Sequence, residues 1–227
     1  MEVSPGTVFT LNFGGTKIDV TSSVVTQWVV ILVIMLIALA VTSKLKKIPD
    51  KKQSAVEILV ETINGLVKSN MGDHYKNFVP FIGTIGVFLF FLNLTGLIGV
   101  DPATRDINVT LALALISFVV IQVNAIIKVG MGGYLKSYLK PFAPMLFMNV
   151  LEKLTLPISL ALRLFINMLV GTLIMSLLYQ GLGYLSKALQ FIIPIPFHGF
   201  FDAFDGLIQM FVFMTLTMVY TKITAEH

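Results

Sequence analysis

The chain has 227 residues, of which 56% are hydrophobic and only 12% charged. Soluble globular chains carry about 25% charged residues, so this chain has too little polar surface to coat a water-soluble particle. The absence of cysteine excludes disulfides and thiolate metal sites, and the net charge of +4 comes from Lys and Arg set beside long apolar runs, not from the clustered basic face that nucleic acid requires.

The polar start, residues 1–10, has no basic n-region and no cleavage site after an apolar core, so it is not expected to act as a signal peptide. About 20 apolar residues cross a bilayer. Five stretches are expected to do so: 23–42, 78–100, 109–129, 145–179 and 197–223. After the first, residues 51–68 mix Val56, Ile58, Leu59, Ile63, Leu66 and Val67 with Glu57, Glu61 and Lys68, the pattern of an amphipathic helix lying on the membrane surface. The fourth span is too long for one perpendicular crossing, so it either tilts or folds as a hairpin. No Gly or Asn cluster interrupts 156–171, which favours one tilted helix, with Pro157 tolerated inside it. Residues 181–195 read as a short loop with some amphipathic character, and Pro196 as the first turn of the last span. The expected fold is an all-α integral membrane protein, a single membrane domain over 1–227, with the last two helices long and tilted.

Lys and Arg in short loops set orientation. Lys44, Lys46, Lys47, Lys51, Lys52, Lys68 and Lys76 follow span one, Lys128, Lys136 and Lys140 follow span three, and Lys222 ends span five. The opposite side holds only Lys17, Arg105 and Lys187. The N terminus is therefore expected outside and the C terminus in the cytoplasm, with a bacterial plasma membrane as the expected location.

Arg163 lies near the middle of span four. A guanidinium stays charged under physiological conditions, and placing it at mid-membrane costs at least a few kcal/mol. It needs a counter-charge or a water cavity. A structural ion pair with Asp202 or Glu152 is one reading, and a counter-charge on another subunit is the other. At 100° per residue, Glu152, Ser159, Arg163, Asn167 and Gly171 share one stripe of span four, and His198, Asp202, Asp205 and Gln209 share one stripe of span five. Antiparallel packing that levels Arg163 with Gln209 sets Asp202 nearer the outside, which favours the second reading. Asn93, Asn108, Gln122 and Asn124 either line a channel or make interhelical hydrogen bonds. Asp73 and His74 read as a solvated loop, a poor metal site. No phosphate-binding loop is present, so neither ATP nor any other cofactor is expected on this chain.

The run Ser159-Leu-Ala-Leu-Arg163-Leu-Phe-Ile-Asn167-Met resembles the signature S-L-x-L-R-L-F-G-N-M of the F-type ATP synthase a-subunit family. The C-terminal Gln209-Met-Phe-Val-Phe-Met-Thr-Leu-Thr-Met-Val-Tyr220 is similar to that family's second signature, and Asp106-Ile-Asn108-Val-Thr110 and Asn93-Leu94 match two weaker ones. The resemblance implies an ion-translocating stator subunit, not an enzyme by itself. It further implies that Arg163 faces the membrane carboxylates of a c-subunit ring and that two aqueous half-channels reach the ring from opposite sides. Partners implied are that ring, the b subunits of the peripheral stalk, the catalytic head indirectly, the lipid bilayer, and H⁺ or Na⁺. Asp202, Gln209, Asn167 and Thr172 are assigned to the outer half-channel, with Asp205 less central. Asn93, Asn108, Asp106, Glu152 and Ser159 complete the half-channel candidates. Three positions depart from the family pattern: Ile166 replaces a Gly, Thr172 stands where many members carry Glu or His, and Gly96 replaces an acid found in some members. Set against the family pattern, the acid is displaced from span four to Asp202 on span five. The competing classes are a small secondary transporter or ion-channel subunit, which commonly shows paired repeats, and a structural scaffold, which has no need of Arg163.

Overall fold

The computed structural model describes residues 6–13, 16–43, 50–137, 145–185 and 187–226. Lys44, Lys46, Lys47 and Lys140 lie outside the described residues. The chain opens with an antiparallel hairpin of β1 (Thr7–Phe13) and β2 (Thr16–Thr21), in which Phe9 pairs with Val20 and Leu11 with Ile18. The expected reading had only a polar start here. The local signal was two runs rich in Thr and in branched or aromatic residues, 7–13 and 16–21, around Gly14-Gly15, a dipeptide suited to a two-residue hairpin loop. The Ser22 N–H donates to Gly6 O at 3.0 Å, which ties the hairpin to the first helix.

Helix α1 (Ser22–Thr42) is apolar around its whole circumference and buries only Ser23 and Val30. Helix α2 (Lys51–Met71) has one packed stripe, Ile63, Val67 and Met71, which sits in a cluster with Tyr75, Ile82, Met214 and Met218. The stripe repeats at four residues, as an amphipathic helix requires. A 3₁₀ turn (Asp73–Phe78) then enters α3 (Val79–Leu94), whose Pro80 stands in the first turn. A second short 3₁₀ turn, Thr95–Ile98, ends at Gly99 with φ of 78°.

Helix α4 (Ile107–Val129) begins at Asp106, whose carboxylate accepts from the Asn108 N–H at 3.0 Å and caps the helix. Short helix α5 (Met131–Ser137) follows. Helix α6 (Met145–Leu185) is one continuous rod of 41 residues with Pro157 inside it, so span four is a single helix and not a hairpin. At 1.5 Å per residue it is about 60 Å long against a ~30 Å hydrocarbon core, so it must lean or emerge from the membrane.

The segment read as a loop, 181–195, is corrected. Helix α6 runs on to Leu185, α7 (Lys187–Ile192) follows, and α8 (Pro194–His198) starts at Pro194 instead of Pro196. A proline suits the first helical position because its missing N–H is unpaired there in any case. Residues Gly199–Phe204 form a π-helical turn that leads into α9 (Asp205–Glu226). Among the described residues five helical stretches are long and apolar enough to cross a membrane: Ser22–Thr42, Asp73–Ile98, Ile107–Val129, Leu146–Tyr184 and Pro194–Ala225. The chain is a multi-pass, all-α membrane protein carrying a small β-hairpin.

The core sits where α4 meets α6 and α9. Ala114, Ile121, Leu160, Ala161, Leu164 and Phe213 are all nearly inaccessible there. On α6 the buried positions Leu156, Leu160, Leu164, Met168, Gly171 and Met175 recur every three or four residues. They leave the opposite face, with Ile158, Leu162, Arg163, Ile166 and Val170, uncovered by this chain.

Candidate functional site

Arg163 lies near the middle of α6, on the uncovered face. It is exposed and makes no hydrogen bond or ion pair with any described residue. Its neighbours on that face, Leu162 and Ile166, are 39% and 50% exposed. A permanent charge thus stands in an apolar strip at mid-span, turned away from the bundle. Neither Asp202 nor Glu152 pairs with it.

Two cavities flank the arginine along α6. Towards the C-terminal end of α6, one of about 340 Å³ is lined by Thr172, Ser176, Tyr179, His198, Asp202 and the loop residues Asp101 and Arg105. Towards the N-terminal end, one of about 540 Å³ is lined by Glu152, Thr155, Ser159 and Tyr220. Ser159 and Thr172, their nearest lining residues on α6, are separated by about 20 Å of helix, and Arg163 lies between them. Neither cavity is lined by Arg163 itself.

Within the first cavity the polar groups form a chain. His198 Nδ1 lies 2.6 Å from Asp202 Oδ2, and His198 Nε2 lies 3.0 Å from the Tyr179 hydroxyl. The His198 and Asp202 side chains are 31% and 14% exposed. The carboxylate owes its position to Gly96, because a Cβ there would stand 2.9 Å from Asp202 Cγ. Asp101 and Arg105 form their own ion pair at 3.1 Å on the cavity rim. The Thr172 hydroxyl returns to its own helix, donating to the Met168 carbonyl.

The other candidates divide between the cavities and the helix seams. Gln209 is buried, with its Nε2 unpartnered, and does not line the Asp202 cavity. Asn167 and Asp205 are half-buried and also stand off that cavity. The π turn interposed at 199–204 adds a residue to the helical cycle, so Asp202 and Gln209 no longer share the simple stripe that 100° steps give. Asn93 is buried between helices. Its Nδ2 donates to Gly206 O at 3.1 Å, and its Oδ1 accepts from the Thr104 hydroxyl at 3.2 Å. Asn108 donates through Nδ2 to Asp106 at 3.1 Å, within the cap of α4. Asn124 donates to Thr221 O at 3.4 Å, and Gln122 accepts from the Tyr134 hydroxyl at 2.6 Å. Asp73 pairs with Lys68 at 3.1 Å in an exposed turn.

Sequence reasoning passed over Tyr179, Ser176, Thr155 and Tyr220, and gave His198 no role. The signal for His198 was its position four residues before Asp202, which brings two side chains together on a helix face. Tyr179 gave no local signal, since its partner lies 19 residues away on another element.

The chain matches the family model described as ATP synthase A chain over residues 24–222. It is 32% identical to ATP synthase subunit a of Moorella thermoacetica, over 89% of this chain and 90% of that protein. It is 36% identical to ATP synthase subunit a 3 of Pelobacter propionicus, over 88% and 86%. It is 30% identical to the protein of Propionigenium modestum named ATP synthase subunit a, sodium ion specific, over 89% and 73%. The chain belongs to the ATP synthase A chain family, part of the ion-translocating membrane sector of that enzyme.

Proposed function

We propose that this chain is the stator against which a ring of carboxylate-bearing c subunits turns, and that it feeds the ring through two separate aqueous half-channels. The observation that carries the reading is the exposed, unpartnered Arg163 at mid-span. A guanidinium presented to lipid alone is costly. A carboxylate on a neighbouring polypeptide removes the cost and gives the charge a task. As each ring carboxylate passes, Arg163 stabilises its ionised form, so an ion must leave on one side and another must load on the other. The same fixed charge repels cations that would leak straight between the channels.

The cavity lined by Asp202 and Thr172 serves as the outer half-channel, and the one lined by Glu152 and Ser159 as the inner one. That assignment places the N terminus outside and the C terminus in the cytoplasm, as the Lys and Arg distribution favours. Asn167, one turn from Arg163, stands along α6 between Arg163 and Thr172 of the outer cavity. Each elementary charge that crosses is worth about 2.3 kcal/mol per 100 mV, and the ring delivers that work to the catalytic head. The peripheral-stalk b subunits hold the chain against the torque. The coupling ion is H⁺ or Na⁺.

The test is Arg163→Ala in the assembled complex. ATP-driven pumping and ion-driven ATP synthesis should both disappear while the ring remains bound, and Arg163→Lys should be badly impaired because a lysine is a different donor that can lose its proton. Normal coupled transport by an intact Arg163→Ala complex would contradict the reading.

A further inference from the structure

We propose that His198 loads protons onto Asp202, with the Tyr179 hydroxyl as the group that links the imidazole to the water of the cavity. This rests on the reading of that cavity as a half-channel, takes H⁺ as the ion it carries, and adds a step that the reading does not contain.

Both imidazole nitrogens are engaged, each towards a different kind of group. Nδ1 faces a carboxylate at 2.6 Å and Nε2 faces a phenolic hydroxyl at 3.0 Å. Three elements are needed to assemble the row: α6 supplies Tyr179, α8 supplies His198 and the π turn supplies Asp202. The π turn matters to the geometry, since such turns re-aim side chains and recur at functional sites. Gly96 leaves the space that lets the carboxylate lie in the row. Gln190 donates to the Tyr179 carbonyl at 2.9 Å and steadies the backbone that carries the hydroxyl.

The step balances in protons. In the neutral ring Nδ1–H donates to the Asp202 carboxylate, and Nε2 accepts from the tyrosine hydroxyl. A proton from cavity water arrives at Nε2 through that hydroxyl, which gives up its own proton and takes one from water. The imidazolium then releases the Nδ1 proton to Asp202, leaving a neutral ring and a carboxylic acid. When the acid passes its proton inward, the ring regains its first tautomer by exchange with cavity water. Imidazole suits this work because it exchanges protons in the physiological range. The charged and titratable groups that line the cavity with it are Asp202 on its own chain segment, Tyr179 from α6, and Asp101 and Arg105 from the loop before α4. Asp101 and Arg105 cancel one another as an ion pair, so Asp202 is the carboxylate in contact with the ring.

The experiment uses membrane vesicles that hold the whole complex, stripped of the catalytic head, with passive proton flow driven by a potassium diffusion potential. His198→Ala should slow the flow about fivefold or more near pH 8 and less near pH 6, where hydronium can reach Asp202 unaided. Added imidazole should restore much of the lost rate in His198→Ala and none of it in Asp202→Asn. His198→Gln keeps an amide beside Asp202 but cannot carry a proton, so it should assemble and show the same loss. Tyr179→Phe should fall between wild type and His198→Ala. A normal rate at both pH values in His198→Gln, or a slow His198→Ala that imidazole does not rescue, overturns the relay. Arg163→Ala in vesicles that keep the catalytic head separates the two readings: if ATP-driven pumping depends on Arg163 while the His198 variants conduct as wild type, the relay alone falls.

Discussion

Asp202 and Gly96 share one volume. The carboxyl carbon of Asp202 would lie 2.9 Å from a Cβ at position 96, far inside ordinary contact. The resemblance to the a-subunit family puts an acid at the position of Gly96 in some members, and here the acid reaches the same space from the π turn. A rescue experiment follows from this geometry. Asp202→Ala should slow ATP-driven transport by about tenfold, equivalent to ~1.4 kcal/mol on the barrier. The double variant Gly96→Asp with Asp202→Ala should recover most of it, because the new carboxylate enters the vacated space. Gly96→Ala alone should also slow transport, since Asp202 must move aside. If the double variant is no faster than Asp202→Ala, the site needs the carboxylate on its own helix beside His198. That Arg163 is a charge set in an apolar span was legible in the sequence, and its cost marks it wherever it points. The hydrogen-bonded row through Tyr179 was not, because pairings between distant elements leave no periodic trace. Asn93 shows the opposite outcome: the sequence left channel lining and helix bonding open, and its two buried hydrogen bonds place it in a helix seam.

At the scale of elements, the seam of α4 with α6 and α9 holds the long helix that carries Arg163. Between membrane helices lipid offers no hydrophobic drive, so association depends on close packing and small residues at the contact. Ala114 and Ala161 are buried in this seam at 0% and 2% exposure, beside Leu164 and Phe213. Replacing either alanine with Phe should force the helices apart at a cost of about 1–3 kcal/mol. The expected result is a lower midpoint of thermal unfolding for the purified complex and less chain in the membrane. Ile116→Phe, on the exposed face of α4, should leave both unchanged. Equal losses at all three positions would mean that the seam does not hold α6 in place. Helix existence was readable from apolar length alone for every span. Boundaries were not: residues 181–195 look like a loop by composition, yet α6 continues to Leu185 and two short helices follow. The π turn at 199–204 was hidden too, since no residue type in Gly-Phe-Phe-Asp-Ala-Phe marks it.

For the whole molecule, the arrangement is one long helix with a cavity towards each end and a fixed charge between them. Under the proposed stator mechanism a single continuous channel would let ions bypass the ring, whereas two that stop short of one another force them onto it. The separation of about 20 Å along α6 between Ser159 and Thr172 is the feature on which that proposal rests. The most direct measurement is sided thiol labelling of the assembled complex in intact cells and in inverted vesicles, made simple by a chain with no native cysteine. Cysteines at Thr172 and Ser176 should react with a small membrane-impermeant reagent supplied from outside, as should one at Asn12 in the hairpin. Cysteines at Thr155 and Ser159, and one at Ala225, should react only from the cytoplasmic side. Reaction of both cavities with reagent from the same side would contradict the account.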